Sequence, residues 1–143
     1  MKITARLFLP SVEKMMKNCG LNEGGEVQKY IDNFVLEQSE PYMPHKSGVL
    51  IASGASSTKI GSGQVIWNTP YAHYMYEGKL MISPSTGSSW AKKHEEKIYA
   101  EPPKTLNYHS GDNNRREHWF DRMIIDKKEE LIKGCQKIVD GGK

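Results

Sequence analysis

The chain has 143 residues, with 20 Lys and Arg against 17 Asp and Glu, which gives a formal net charge of +3. This length accommodates one domain and excludes a large enzyme with a separate cofactor domain. Hydrophobic residues make up 37% of the chain and the mean hydropathy is −0.65, so we expect a modest core, and the small net charge does not favour nucleic acid as the main partner.

The first ten residues predict an extended start without a targeting or membrane segment. Their apolar run covers only residues 7–9 before Pro10, which is shorter than a signal-peptide core or a membrane span. We therefore expect the protein to stay in the cytosol, with no membrane partner, unless it leaves in an assembly. Cys19 and Cys135 lie far apart without metal-binding spacing, and both are predicted to be reduced, buried small residues.

Two helices are predicted in the first 40 residues. Residues 11–17 form a short helix, with Ser11 as its N-cap and Gly20 as its left-handed stop. From residue 23 onward, apolar side chains recur at the spacing of an amphipathic helix, which must end before Pro41. This second helix carries Val27, Tyr30, Ile31, Phe34 and Val35 on one face.

The central segment predicts a connector, a strand pair and a short helix. Two prolines exclude a helix from residues 41–48. Residues 49–53 and 64–68 are predicted to be antiparallel strands, joined by a mobile Gly/Ser-rich loop over residues 54–63. Tyr71 and Tyr74 stand one helical turn apart, which predicts a short helix between Pro70 and Gly78.

The last third of the chain predicts an irregular insertion followed by a long helix. Within the insertion, residues 79–114, the segments 79–82 and 105–109 are predicted to pair as arms of a protruding hairpin. An apolar stripe predicts a helix over residues 115–140, ended by Gly141 and Gly142. We expect a single α+β domain over residues 1–143, in which a small antiparallel or mixed sheet of three to five strands packs against two long amphipathic helices.

The polar residues do not form a pattern typical of catalysis or of metal or cofactor binding. The five histidines lack metal-ligand spacing, and no serine lies in a G-x-S-x-G turn. No pair of carboxylates is brought into an apolar setting that would shift a pKa, and Gly61-Ser62-Gly63 has no following helix that would bind phosphate. The sequence therefore predicts a protein that is not an enzyme and that has no metal or cofactor.

Aromatic residues in polar segments are the strongest feature of the composition. Tyr and Trp combine apolar area with a polar group, which suits both protein interfaces and the rim of a compact core. Both interpretations remain open for the aromatic residues Tyr42, Trp67, Tyr71, Tyr74, Tyr76, Trp90, Tyr99, Tyr108 and Trp119.

Three segments, in this order and spacing, resemble the phage minor capsid, or neck, protein family of long-tailed phages and prophages. They are residues 42–50 (YMPHKSGVL), residues 66–79 (IWNTPYAHYMYEGK) and residues 106–111 (LNYHSG) leading into 118–123 (HWFDRM). The resemblance implies interface residues within these segments. They are Tyr42, Pro44, Ser47, Gly48, Tyr71, Tyr74, Tyr76, Glu77, Tyr108, Trp119 and Phe120.

The resemblance implies a structural virion protein that joins or completes head and tail. Such a subunit forms a homo-oligomeric ring, hexameric or dodecameric, and contacts other neck, portal-side or tail-tube proteins, with non-specific contact to DNA in the channel. It resides in the virion and, during assembly, in the host cytoplasm. The alternative hypothesis is a small nucleic-acid-binding protein that uses Arg115, Arg116, Lys127 and Lys128 on the last helix.

Overall fold

A computed structural model describes Met1, residues 11–108 and residues 112–141. The predicted extended start at residues 2–10, the hairpin and motif residues 109–111 and the predicted stop at Gly142 lie outside the described residues. None of the helices in the described ranges combines the length and apolarity needed to cross a membrane.

The two predicted N-terminal helices are confirmed. Helix α1 spans Val12–Asn18, where the Lys14 amide donates to Ser11 Oγ at 3.2 Å, and Gly20 takes a φ of +74°. Helix α2 spans Glu26–Ser39 and passes into a 3-10 turn, Glu40–Tyr42, which contains Pro41. Proline is accepted there because the first residues of a helical turn need no internal amide donor.

Residues 49–53 are not a strand; they begin helix α3, Val49–Ser57. Leu50, Ser53 and Gly54 are buried at helical spacing, and Gly54 allows α3 to approach Trp67 so closely that a Cβ atom would lie 2.6 Å from Trp67 Nε1. Packing against the core therefore favours a helix more than the β-branched side chains of Val49 and Ile51 favour a strand, because strand propensity depends strongly on tertiary context.

Residues 64–68 do not form the predicted strand and have no partner strand among the described residues. The Ile66 amide instead donates to Thr58 Oγ1 at 3.0 Å. Val65 and Trp67 pack against the core, while Ile66 is exposed. The predicted pairing with residues 49–53 is wrong because α3 satisfies its own backbone.

The short helix α4, Ala72–Glu77, ends at Gly78, whose φ is +70°, as predicted. The hairpin arms pair at their base, where Lys79 bridges Thr105 and the Leu80 amide donates to Lys104 O at 2.8 Å. Beyond the base, strand β1, Met81–Ile82, pairs antiparallel with strand β2, Ile98–Tyr99, instead of with residues nearer 109.

Helix α5, Trp119–Gly141, packs along α2. The two helices run antiparallel, since Tyr42 after α2 bonds Asp126 near the start of α5, while Tyr30 approaches Gly134. The hydroxyl of Tyr30 lies against Gly134 where a Cβ would be, so a glycine is needed there for this close approach. The helix begins four residues later than predicted, because residues 115–118 form the turn that connects it to the end of α2.

The α+β class and the two long helices are confirmed. Within the described residues, the sheet has two strands rather than three to five. The core lies between α2, α3, α4 and the first two turns of α5. It contains Phe34, Val35, Tyr42, Met43, Leu50, Ala72, Trp119 and Met123.

Candidate functional site

The first candidate surface, the connector cleft, encloses about 500 Å³. It contains five of the predicted interface residues, namely Pro44, Ser47, Gly48, Tyr71 and Tyr108. All three segments that carry the family resemblance contribute to it, although they are far apart in the chain. The cleft is completed by His45, Lys46, Leu50, Met75 and Asn107.

One tyrosine joins two walls of the connector cleft. Tyr108 Oη donates to Met75 O at 2.7 Å, which ties the residues after the hairpin to α4. Burial, followed by the nearby charge of Glu117, raises the pKa of Tyr108 to about 12. The opposite rim is accessible, because His45, Lys46 and Ser47 are exposed. The cleft therefore combines a fixed aromatic wall with a polar rim open to a partner.

The second candidate surface, the aromatic groove, encloses about 580 Å³ and contains the predicted residues Tyr76, Trp119 and Phe120. Trp119 is 2% exposed, and its ring stands edge-on to the rings of Tyr76 and Trp67. The distances between ring centroids are 4.7 Å to Tyr76 and 6.0 Å to Trp67. Trp119 Nε1 has no hydrogen-bond partner in the described part of the chain. The groove is completed by Gln28, Ile31, Asp32, Val35, Gly63, Val65, Trp67, Ala72 and His73.

A buried carboxylate holds one wall of the aromatic groove. Asp32, 1% exposed, accepts hydrogen bonds from the amides of Gly61 at 2.7 Å and Gly63 at 3.2 Å through Oδ2. Its Oδ1 accepts from Gln28 Nε2 at 3.0 Å. These bonds fasten the 59–63 loop to α2. Asp32 was not predicted as a site residue. An aspartate beside the apolar face of α2 nevertheless indicates a buried carboxylate, which needs hydrogen-bond donors around it.

A second carboxylate, Asp121, binds one of the residues that line the aromatic groove. Tyr76 Oη donates to Asp121 Oδ2 at 2.9 Å. Burial raises the pKa of Tyr76 to about 12, and the hydrogen bond to Asp121 adds to this effect. His118 Nδ1 lies 3.5 Å from the same Asp121 oxygen.

The other predicted interface residues occupy different positions. Tyr42 is buried in the core and donates to Asp126 Oδ2 at 2.7 Å, an interaction that raises its pKa. Tyr74 and Glu77 are half-buried on α4 and line neither surface. Among the aromatic residues, Tyr42 and Trp119 are core residues, while Trp90 is 84% exposed.

Two arginines hold the turn before α5 by binding backbone carbonyls. This structural role was not predicted from the sequence. Arg115 donates to Glu40 O at 2.8 Å and to Met43 O at 3.0 Å, and pairs with the Glu40 carboxylate at 2.9 Å. Arg122 donates to the carbonyls of Asn114, Tyr42, Glu117 and Arg116. Burial lowers the pKa of Arg122. Arginine is suited to this task because its planar group presents several donors in fixed directions.

The basic residues of the nucleic-acid hypothesis do not form one patch on the last helix. Arg115 and Arg116 precede α5, and Arg115 is committed to the contacts with Glu40 and Met43. The guanidinium of Arg116 lies 3.4 Å from the Glu117 carboxylate, and Lys127 Nζ lies 3.4 Å from the Glu130 carboxylate. The acidic partners reduce the field that these cations could present to phosphate.

Within the described ranges, no group of three or more His, Cys, Asp or Glu residues is placed to hold a metal ion. The predicted burial of the cysteines is wrong for Cys19, which is exposed after α1, whereas Cys135 is half-buried and its thiol pKa is raised by burial. Both thiols are free.

No family model, curated protein or solved structure matches this chain.

Proposed function

We propose that this chain is a structural subunit of a phage neck, which joins or completes head and tail as part of a ring and makes or breaks no covalent bond. One observation carries the proposal. The three segments with the family resemblance, which are distant in sequence, meet in the connector cleft. Exposed connecting segments held by a rigid scaffold are where binding residues concentrate, and the rim residues His45, Lys46 and Ser47 are exposed in such a segment.

The two surfaces suit a ring because they are unlike and adjacent. Helix α4 separates them, with Tyr71 and Met75 facing the connector cleft and Ala72, His73 and Tyr76 facing the aromatic groove. A ring needs heterologous contacts, in which one face of a subunit meets a different face of the next. One rigid helix thus positions two different faces on the same subunit.

The partners follow from this role. We expect copies of the same chain in a hexameric or dodecameric ring, together with portal-side or tail-tube neighbours, in the virion and in the host cytoplasm during assembly. Exposed cations such as Lys128 are suited to weak, non-specific contact with DNA in the channel, because the acidic residues of α5 prevent a strong field. The contacts made by Arg115 do not favour nucleic acid binding as the main function.

The test uses a phage or prophage that encodes the chain. Deletion of its gene is expected to leave filled heads and tails that do not join, as seen by electron microscopy. Particles that assemble and infect normally without the chain would refute the proposal.

A point variant then tests the connector cleft itself. Ser47 is exposed on the rim, so Ser47→Arg adds bulk and charge there without disturbing the core. We expect infectious yield to fall, because a contact that loses roughly 1.4 kcal/mol binds about tenfold more weakly. Ser89→Arg is the matched control, because Ser89 is exposed in the hairpin and lines neither surface. Circular dichroism of both variants establishes that they fold.

A further inference from the structure

Helix α1 presents an apolar face that the described residues of its own chain do not cover. Val12, Met15 and Met16 are 68%, 38% and 42% exposed, and Cys19 follows at the same helical spacing. No residue of α1 is buried by the described part of the chain. We call these four residues the α1 face.

A helix of this length needs a partner. Isolated helices shorter than about 12–15 residues are marginal in water, and most helical stability in proteins comes from packing of an apolar face. Helix α1 has seven residues and gains only a cap from Ser11. Packing of a partner against the α1 face would therefore stabilise the helix.

Helix α1 does not cover the aromatic groove of its own chain, since none of its residues is buried or lines the groove. The Gly24 amide donates to Gly61 O at 2.9 Å, and the Gln28 amide donates to Gly20 O at 2.9 Å. Gly25 packs so closely on the Gly20 carbonyl that a Cβ at Gly25 would clash. These contacts hold the end of α1 at the start of α2.

The aromatic groove complements the α1 face in chemistry. Its wall is apolar, with Ile31, Val65 and Trp119 among its lining residues. One carboxylate, Asp32, lines the groove, and its three donors are neutral amides. A second, Asp121, accepts a hydrogen bond from the lining residue Tyr76.

The charge of α1 is opposite to that of the groove. Helix α1 carries Lys14 and Lys17 against a single Glu13, so its flank has a net positive charge. Methionine suits an irregular apolar surface because its unbranched side chain adapts to the available space.

We propose that the α1 face of one copy docks in the aromatic groove of a second copy. Because the two surfaces differ, the contact is heterologous and continues from copy to copy. This inference deepens the proposed function by naming the contact between subunits, and it rests on that function only for the closure of the ring.

The size of the contact sets its strength. A seven-residue helix is about 10 Å long, so it covers only part of the roughly 800 Å² per partner found at stable interfaces. We therefore expect association that is weak and depends on concentration when the purified chain is studied alone.

The exposed Cys19 provides a native probe for disulfide cross-linking. In a Cys135→Ser background, His73→Cys places a second thiol on the aromatic groove, and His45→Cys places one on the connector cleft as the matched control. Under mild oxidation, the His73→Cys protein is expected to form disulfide-linked dimers and higher species, while the His45→Cys protein stays mostly monomeric.

Each other outcome overturns the proposed contact. A cross-link within one chain, seen as a monomer of altered mobility, would show that α1 covers its own groove. Equal or stronger linkage through His45→Cys would place α1 on the connector cleft. Monomers without linkage at high protein concentration would show that the α1 face does not bind a second copy.

A second measurement separates docking from folding. Met16→Glu changes an exposed residue of the α1 face, so the fold should remain intact while sedimentation shows at least tenfold weaker association. Ile125→Glu is the control, because Ile125 is 78% exposed on α5 and lines neither surface. Equal association of the Met16→Glu protein and the unmodified chain would refute the contact.

These assays use the purified chain, so they fail independently of the phage experiment. Cross-linking through His73→Cys together with normal particles after gene deletion would retain the contact and refute the neck function. The reverse pattern, unjoined heads and tails without cross-linking, would retain the function and refute the contact.

Discussion

The buried carboxylate of Asp32 offers the sharpest test of how the aromatic groove is held. Asp32→Ala removes the acceptor for the amides of Gly61 and Gly63 and for the Gln28 side chain. Hydrogen bonds to a charged group contribute about 1.5–3 kcal/mol each, while removal of a buried charge recovers part of its desolvation cost. We therefore expect the free energy of unfolding to fall by about 3 kcal/mol, within the range measured when a buried network is broken.

Asp32→Asn separates hydrogen bonding from charge. Its carbonyl oxygen can accept both backbone amides, and the Gln28 amide can rotate to accept from the new amide group, so only the charge is lost. The expected cost is about 1 kcal/mol, since neutral hydrogen bonds are roughly half as strong as charge-assisted ones. Hydrogen exchange at Gly61 and Gly63 should quicken in Asp32→Ala and change little in Asp32→Asn.

Urea unfolding with an unchanged slope provides the measurement, because a midpoint shift at constant slope reports stability alone. Asn33→Ala is the matched control, since Asn33 is the exposed neighbour on α2, and surface substitutions usually stay within about 0.5 kcal/mol. An Asp32→Ala protein as stable as this control, with protected Gly61 and Gly63 amides, would refute the assignment of Asp32 as the residue that holds the loop.

Three further predictions follow from individual contacts. Gly54→Ala should lower the free energy of unfolding by about 1–3 kcal/mol, because its Cβ would meet Trp67 and Leu36. Gly141→Ala has open space around it and should not lower the free energy of unfolding, so equal urea midpoints for the two variants would contradict this prediction. Hydrogen bonds from Ser85, the Lys92 amide and Ser83 lower the pKa of Glu95 from 4.5 to about 2. The hairpin tip should therefore be fully stabilised above pH 4.5 and loosen as the pH falls towards 2, which NMR can follow, and Glu95→Gln should show no such change. Because the pKa values of Tyr76 and Tyr108 are raised to about 12, stability should decline above pH 10, where unfolded tyrosines lose their protons first. Spectrophotometric titration should show late-ionising tyrosines, and Tyr76→Phe should remove one of them.

Where apolar spacing was long and regular, the sequence was a sufficient guide. Helix α2 was predicted from the side chains that it does bury, Val27, Phe34 and Val35, and the glycine stops at Gly20 and Gly78 were confirmed by their positive φ angles. These features are local, because a helical face and a left-handed stop depend on residues within a few positions.

Residues 49–57 show where local reasoning fails. Val49, Leu50 and Ile51 favour a strand by type, yet the segment is a helix in which Gly54 closely approaches Trp67 and Leu36. The partner atoms come from other parts of the chain, so nothing within residues 49–57 could reveal them. The same holds for residues 64–68, which were predicted to be a strand but whose Ile66 amide donates to Thr58 Oγ1.

The sequence by itself determined the α+β class and the two long helices, because composition and periodicity are written along the chain, and it predicted a set of interface residues. Only the tertiary structure decided which of those residues share a surface. It buried Tyr42 in the core, brought Pro44, Tyr71 and Tyr108 to one cleft, and left the apolar face of α1 uncovered by the described residues. The reason is physical: a surface is made by contacts between distant segments, and these form only when the core has set how α2, α4 and α5 lie against each other.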